Sequence, residues 1–106
     1  MRTALVTGAN SGIGFAVVTK LLAEGHKVIA HIRENLGDLE EIRDVSHLEI
    51  IRGDFSDIES VSQMASDPKV QAVDILVNNA GTYCFREDFE SIAVKEVEHL
   101  LRVNVI

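Results

Sequence analysis

The chain has 106 residues, 17 acidic against 10 basic side chains for a formal net charge of −7, and one cysteine, Cys84. That length allows one domain with a modest core, and an acidic balance without a basic stripe argues against nucleic acid or an anionic membrane as partner. An intrachain disulfide is excluded, no apolar run approaches a membrane span, and the run after Met1-Arg2-Thr3 is too short for a signal-peptide core, so a cytoplasmic protein is expected.

Ala4-Leu5-Val6 predicts a short strand, led in by Arg2 and Thr3. Phe15 to Glu24 predicts a helix, because Ile13, Val17 and Leu21 recur at helical spacing beside a second stripe of Phe15, Val18 and Leu22. Gly25 stands where a helix is closed by a left-handed glycine. Between strand and helix lies Thr7-Gly8-Ala9-Asn10-Ser11-Gly12-Ile13-Gly14. Gly8 permits the tight turn, Gly12 lets the backbone approach a phosphate, and Gly14 lets the helix sit close to the sheet. The unpaired N–H groups and positive dipole end of the helix favour an anion there. In this strand–loop–helix setting the pattern points to a dinucleotide pyrophosphate; a plain glycine-rich connection is the alternative.

Lys27 to Ile32 predicts the second strand, and Asn35-Leu36-Gly37-Asp38 a turn into a short helix over Leu39 to Val45. The third strand is expected over His47 to Arg52. Ser56-Asp57-Ile58-Glu59 has capping-box form, with Ser56 as N-cap and Glu59 at N3, and opens a helix that stops at Ser66 before Asp67-Pro68. Val73 to Val77 predicts a fourth strand whose continuous apolar character calls for cover on both faces and pairing on both edges. A last helix is expected from Ser91 to the end, with Val94, Val97, Leu101 and Val105 on one face. Alternating strands and helices imply an α/β fold with a parallel sheet and right-handed crossovers. The expected strand order is 3-2-1-4, a Rossmann-like doubly wound sheet truncated to about four strands over residues 1–106.

Two motifs, T-G-x-x-x-G-x-G at Thr7–Gly14 and N-N-A-G at Asn78–Gly81 after the fourth strand, resemble the signatures of the short-chain dehydrogenase/reductase family. The resemblance covers the whole chain but only the amino-terminal, cofactor-binding part of the family's fold. It implies a nicotinamide dinucleotide held by Thr7, Gly8, Asn10, Ser11, Gly12, Ile13 and Gly14. It also implies that Asp54 receives the adenine amino group with the Phe55 backbone beside it, although a turn aspartate ahead of a helix is common. Asn78 and Asn79 would tie the fourth strand to its neighbours, Ala80 and Gly81 would leave room for the ribose, and Asn79, Ala80 and Gly81 count among the cofactor-binding residues.

The end of the second strand, Ala30-His31-Ile32-Arg33-Glu34, distinguishes the two nicotinamide cofactors. His31 stands where NAD-preferring relatives carry aspartate, and Arg33 suits a 2′-phosphate through its planar fork. NADP is therefore favoured over NAD; a solvated Arg33 paired with Glu34 is the alternative. By the same resemblance Asn104, in Arg102-Val103-Asn104-Val105, takes the family role of holding a water behind the catalytic lysine.

The family's catalytic serine and Tyr-x-x-x-Lys have no counterpart. Tyr83 is followed four residues later by Glu87, which would raise its pKa, and the chain stops at Ile106. The expectation is the cofactor-binding portion of an oxidoreductase that transfers hydride between nicotinamide and a carbonyl or alcohol substrate. The chain alone is expected to be inactive; a non-catalytic dinucleotide module and an incomplete gene product are the alternatives. An apolar edge along the fourth strand invites self-association. No metal is expected: Glu96 and His99 lack ligands on a second helix, and His26, His31 and His47 have no zinc spacing with Cys84. Lys20 and Glu24 are expected to pair on the helix surface.

Overall fold

The computed structural model describes residues 1–81, together with two helical positions, Lys95 and Glu98. Four strands build the sheet: β1 (Thr3–Val6), β2 (Lys27–Ile32), β3 (Leu48–Arg52) and β4 (Ile75–Val77). All pair parallel in the order β3-β2-β1-β4, as the alternation of elements requires. Ala4, Leu5 and Val6 are paired on both sides, with Val28, Ile29 and Ala30 of β2 and with Ile75, Leu76 and Val77 of β4. A strand in that position is out of water on both faces, which is why it is uniformly apolar.

The helix α1 (Gly12–Ala23) connects β1 to β2, and its stripe of Phe15, Val17, Val18, Leu21 and Leu22 packs on Val6, Val28, Ala30 and Ile32. It begins at Gly12, three residues before the expected Phe15. The first helical N–H groups need no intrahelical partner, so glycines are tolerated in the opening turn. The helix closes in a Schellman motif: Gly25 has φ +87°, its N–H reaches the Leu22 carbonyl, and the His26 N–H reaches that of Leu21. Lys20 and Glu24 pair at 3.4 Å on the exposed side.

Elsewhere the local signals need correction. The helix expected over Leu39 to Val45 is a single 3₁₀ turn, Gly37–Glu41, which buries Leu39 and ends at Ile42. One buried leucine anchors a turn but gives no continuous apolar face to lengthen it. The helix α2 (Ile58–Ser66) is capped by Asp57, whose carboxylate accepts the Glu59 N–H at 3.1 Å, and not by Ser56. The Ser56 N–H and hydroxyl are drawn instead to Asp54 Oδ1, at 2.9 and 2.7 Å. After α2 the chain adds a short helix, α3 (Pro68–Gln71), with Asp67 as its cap and Pro68 at its first position. Strand β4 begins at Ile75, not Val73, and β3 at Leu48, not His47.

Glu49 of β3, the register partner of Ile29, lies 3.4 Å from Lys27 Nζ and 3.3 Å from Lys69 Nζ. This cluster ties α3 to the sheet. Among the described residues β4 pairs only with β1, and Leu76 is 55% exposed, so the apolar edge expected there is present in this part of the chain. Of the last helix only Lys95 and Glu98 are described as helical; Tyr83, Cys84, Glu87 and Asn104, with the remainder of that helix, lie outside the described residues.

Candidate functional site

In a parallel sheet every strand delivers its carboxyl end to the same edge. The glycine loop after β1, Arg33 after β2, Gly53-Asp54-Phe55 after β3 and Asn78–Gly81 after β4 therefore gather along one rim. The chain crosses from the β2 side of β1 to the β4 side here, the place where open α/β sheets leave a crevice.

Thr7 is the hinge of this rim. Its N–H reaches the Val77 carbonyl at 3.1 Å and its hydroxyl donates to that same oxygen at 3.4 Å. The hydroxyl oxygen also accepts the backbone N–H groups of Asn79 and Ala80, both at 2.9 Å. One donor and two acceptor sites exhaust a hydroxyl. Thr7, expected as a cofactor contact, is thus buried and fully engaged in clamping β1 to the segment after β4.

Asn79 repeats the clamp from the other side. Its Nδ2 donates to the Thr7 and Gly8 carbonyls at 3.2 and 3.0 Å. Asn78, by contrast, is exposed. The carboxamide also limits what fits beside the loop. A Cβ on Gly14 would stand 2.3 Å from the Gly8 carbonyl oxygen and 2.6 Å from Asn79 Nδ2, closer than atoms approach. Gly14 accordingly lets α1 descend onto the turn.

Gly8 and Gly12 both have left-handed backbone, φ +61° and +58°, but differ in surroundings. At Gly8 a side chain would run into Ala80 Cα at 2.9 Å; at Gly12 there is nothing within 4 Å. The open side of the loop is therefore at Gly12. Ser11 caps α1 with extended backbone and no side-chain hydrogen bond, and no acidic residue stands in the first turn. Nothing among the described side chains competes with an anion for the helix N–H groups. Ile13, next along, is 76% exposed at this rim. Asn10 braces the loop sideways, with Nδ2 donating to the Asn35 carbonyl at 3.3 Å and its own carbonyl accepting the Asp38 N–H at 2.8 Å.

The end of β2 holds contacts that the sequence does not report. The side chain of His31 is held inside the protein. It is buried, with Nδ1 accepting the Gly8 N–H at 3.0 Å and Nε2 at 2.8 Å from the Gly53 carbonyl. Its ring stacks on Phe55, centroids 4.4 Å apart and 8° from parallel. Burial lowers its pKa from the usual histidine value, and the Gly53 carbonyl offsets part of that shift. The sequence signal was only a polar residue inside an otherwise apolar strand.

Arg33 follows, exposed at the rim, and makes no ion pair with Glu34 among the described residues. Asp54 is partly buried; its N–H donates to Ser60 Oγ at 2.8 Å and its Oδ1 holds Ser56. Ser60 was not anticipated. Ala80 borders the loop directly at the Thr7 clamp, and the exposed Gly81 follows it. Among the described residues no cluster of histidine, cysteine and carboxylate groups is arranged for a metal, and no helix is long and apolar enough to cross a membrane.

Known proteins share this fold. The short chain dehydrogenase family model matches residues 2–106. L-xylulose reductase of Mus musculus is 44% identical over 81 residues, covering 74% of this chain and 32% of the relative. An NADPH-dependent pterin aldehyde reductase of Arabidopsis thaliana is 31% identical over 109 residues, covering 98% of this chain and 45% of the relative. Among solved structures, the closed form of serine dehydrogenase complexed with NADP⁺ superposes with a TM-score of 0.80 at 33% identity, over 97% of this chain and 43% of that one. The chain spans less than half the length of these relatives. With the glycine loop, the Thr7–Asn79 clamp and the strand order all in place, the chain belongs to the short-chain dehydrogenase family, an oxidoreductase family built on a Rossmann fold.

Proposed function

We propose that this chain supplies the dinucleotide-binding rim of a short-chain oxidoreductase, with NADP preferred over NAD. The carrying observation is the open helix start at Ser11-Gly12-Ile13, where a Cβ on Gly12 would meet nothing within 4 Å and no side chain caps the N–H groups. A pyrophosphate fits such a cradle, because the N–H groups and dipole of α1 stabilise negative charge where the backbone can be approached. The residues beside it have matching roles. Arg33, exposed at the end of β2, would pair with a 2′-phosphate through two parallel N–H donors. Asp54 and the Phe55 backbone would border the adenine, and Ala80 and Gly81 would leave room for the ribose.

When bound, the nicotinamide supplies the hydride exchanged with a carbonyl or alcohol carbon. Proton transfer to or from the substrate oxygen needs a positioned acid or base, a group we assign to residues outside the described rim. In a full-length form Asn104 would order a water for that relay. The chain alone then binds dinucleotide without turnover. That pterin aldehyde reductase is NADPH-dependent, and that serine dehydrogenase is complexed with NADP⁺, supports the preference for NADP.

The test is calorimetric titration of the chain with NADPH and with NADH. Gly12→Val, which adds a side chain on the open side of the loop and strains its left-handed backbone, is expected to lower NADPH affinity by more than about a hundredfold, with far-UV circular dichroism checking that the fold is kept. Unchanged affinity in Gly12→Val would remove the pyrophosphate from this loop.

A further inference from the structure

Buried histidines in a sheet are ordinarily inert, but His31 bridges two of the rim's backbone segments, and its two contacts fix which nitrogen bears the proton. The Gly8 N–H points at Nδ1, so Nδ1 is the lone-pair nitrogen. Nε2 then carries the hydrogen and donates to the Gly53 carbonyl. The ring is thereby defined as neutral, in one tautomer, by the glycine loop on one side and the segment after β3 on the other. A second proton would go onto Nδ1, between the ring and the Gly8 N–H, where two donors would face each other. The Gly8 bond would be lost, while the bond to Gly53 would survive.

We propose that His31 is a positioning residue for the dinucleotide: its neutral ring holds the Gly8 N–H and the Gly53 carbonyl together, and protonation of the ring releases the glycine loop and weakens binding. The inference rests on the proposed dinucleotide site, but the contact between His31 and Gly8 exists without ligand.

Other charges do not replace this control. From β1 the ring meets Gly8, which has no ionisable group. From β3 its register partner is Ile51, followed by the exposed Arg52. The segment beyond β3 gives Gly53, the stacked Phe55 and, between them, Asp54, whose Oδ1 is bonded to Ser56. On its own strand the next charged residue is the exposed Arg33. Toward α2, Met64 packs against Gly53, and it is apolar. Burial is the largest influence on the ring, with the Gly53 bond second, so protonation falls below the ordinary value of 6.5. The loss of binding is therefore expected as pH falls through a midpoint below 6.5, not above it.

The experiment uses the full chain and two readouts. NADPH affinity is measured between about pH 7.5 and about pH 5 for the parent and for His31→Gln, which can accept from Gly8 and donate to Gly53 but does not titrate. Both proteins meet the same ligand, so the ligand's own phosphate ionisation cancels in their ratio. Parent affinity should fall about tenfold more than that of His31→Gln across this range, the size of one hydrogen bond. In parallel, nitrogen-15 spectra without ligand should show His31 as the Nε2–H tautomer, with the Gly8 amide shifting at the same midpoint as the ring.

Parallel pH profiles for parent and His31→Gln, or a Gly8 amide indifferent to His31, would overturn the inference. If the parent binds no dinucleotide at any pH, the proposed function fails. The coupling of ring to loop is then still decided by the ligand-free spectra: a co-titrating Gly8 amide supports it and an indifferent one refutes it.

Discussion

Replacing Thr7 with valine keeps the shape of the side chain and removes one oxygen. That oxygen accepts the N–H groups of Asn79 and Ala80 and carries the hydrogen that points to Val77. Both N–H groups sit in partly buried positions, where valine offers no acceptor. A buried donor left without a partner costs about 1–3 kcal/mol. For two partly buried donors the lower half of that range applies, about 2–4 kcal/mol in all. At roughly 4 °C per kcal/mol for a domain of this size, the melting temperature should fall by about 8–16 °C. Thermal unfolding followed by circular dichroism at several protein concentrations gives the number and separates it from self-association along β4. Thr7→Ser, which keeps the oxygen, should lose less than about 4 °C. Should Thr7→Val melt within about 2 °C of the parent, or Thr7→Ser fall as far as valine, the clamp is not what joins β1 to the segment after β4.

Gly14→Ala should be worse than a surface glycine change, because its Cβ would press on the Gly8 carbonyl and on Asn79 Nδ2; a loss of about 1–3 kcal/mol in urea unfolding, with NADPH binding abolished, is expected. Arg33→Ala should weaken NADPH about 10–100-fold and leave NADH unchanged, as expected for a charged hydrogen bond to phosphate; equal losses for both cofactors would move the 2′-phosphate elsewhere. Asp57→Ala should cost about 1 kcal/mol as the loss of an N-cap. Ser56→Ala should not unravel the start of α2, and helix content that falls more in Ser56→Ala than in Asp57→Ala would contradict the assignment of the cap.

The parts of this fold legible in the sequence are those whose cause is local. The glycines of Thr7–Gly14, the apolar stripe of α1 and the closing Gly25 each specify backbone geometry within one turn, and the structure follows them. Alternation of strand and helix implies a parallel sheet, and the doubly wound pattern that goes with the glycine loop leads to the order 3-2-1-4. Competition between neighbours was harder to read. Ser56 and Asp57 are both good caps, and the choice fell to Asp57 because Asp54, two residues before Ser56, captures Ser56 first. The 3₁₀ turn at Gly37–Glu41 looked longer because apolar residues continue to Val45, yet Val45 is exposed and holds nothing in place.

Least legible were roles set by contacts distant in sequence. Thr7 reads as a phosphate-loop residue but is spent on residues 72 and 73 positions away. His31 reads as a ribose neighbour but turns to Gly8 and Gly53, 23 and 22 positions away. No periodicity or motif within β2 reports on those partners.

The Thr7 clamp also sets an order of events in time. Closing a segment of some seventy residues is entropically unfavourable until its contacts form, so such contacts come late in folding. Before β4 docks, the described bonds that hold the glycine loop come from the β2 side, through Ala9 to the His31 carbonyl, Gly8 to the His31 ring, and Asn10 to Asn35 and Asp38. On a growing chain the loop would thus be half-built while residues 75–81 are still being synthesised. Only a chain that has threaded its fourth strand beside the first presents the completed cradle.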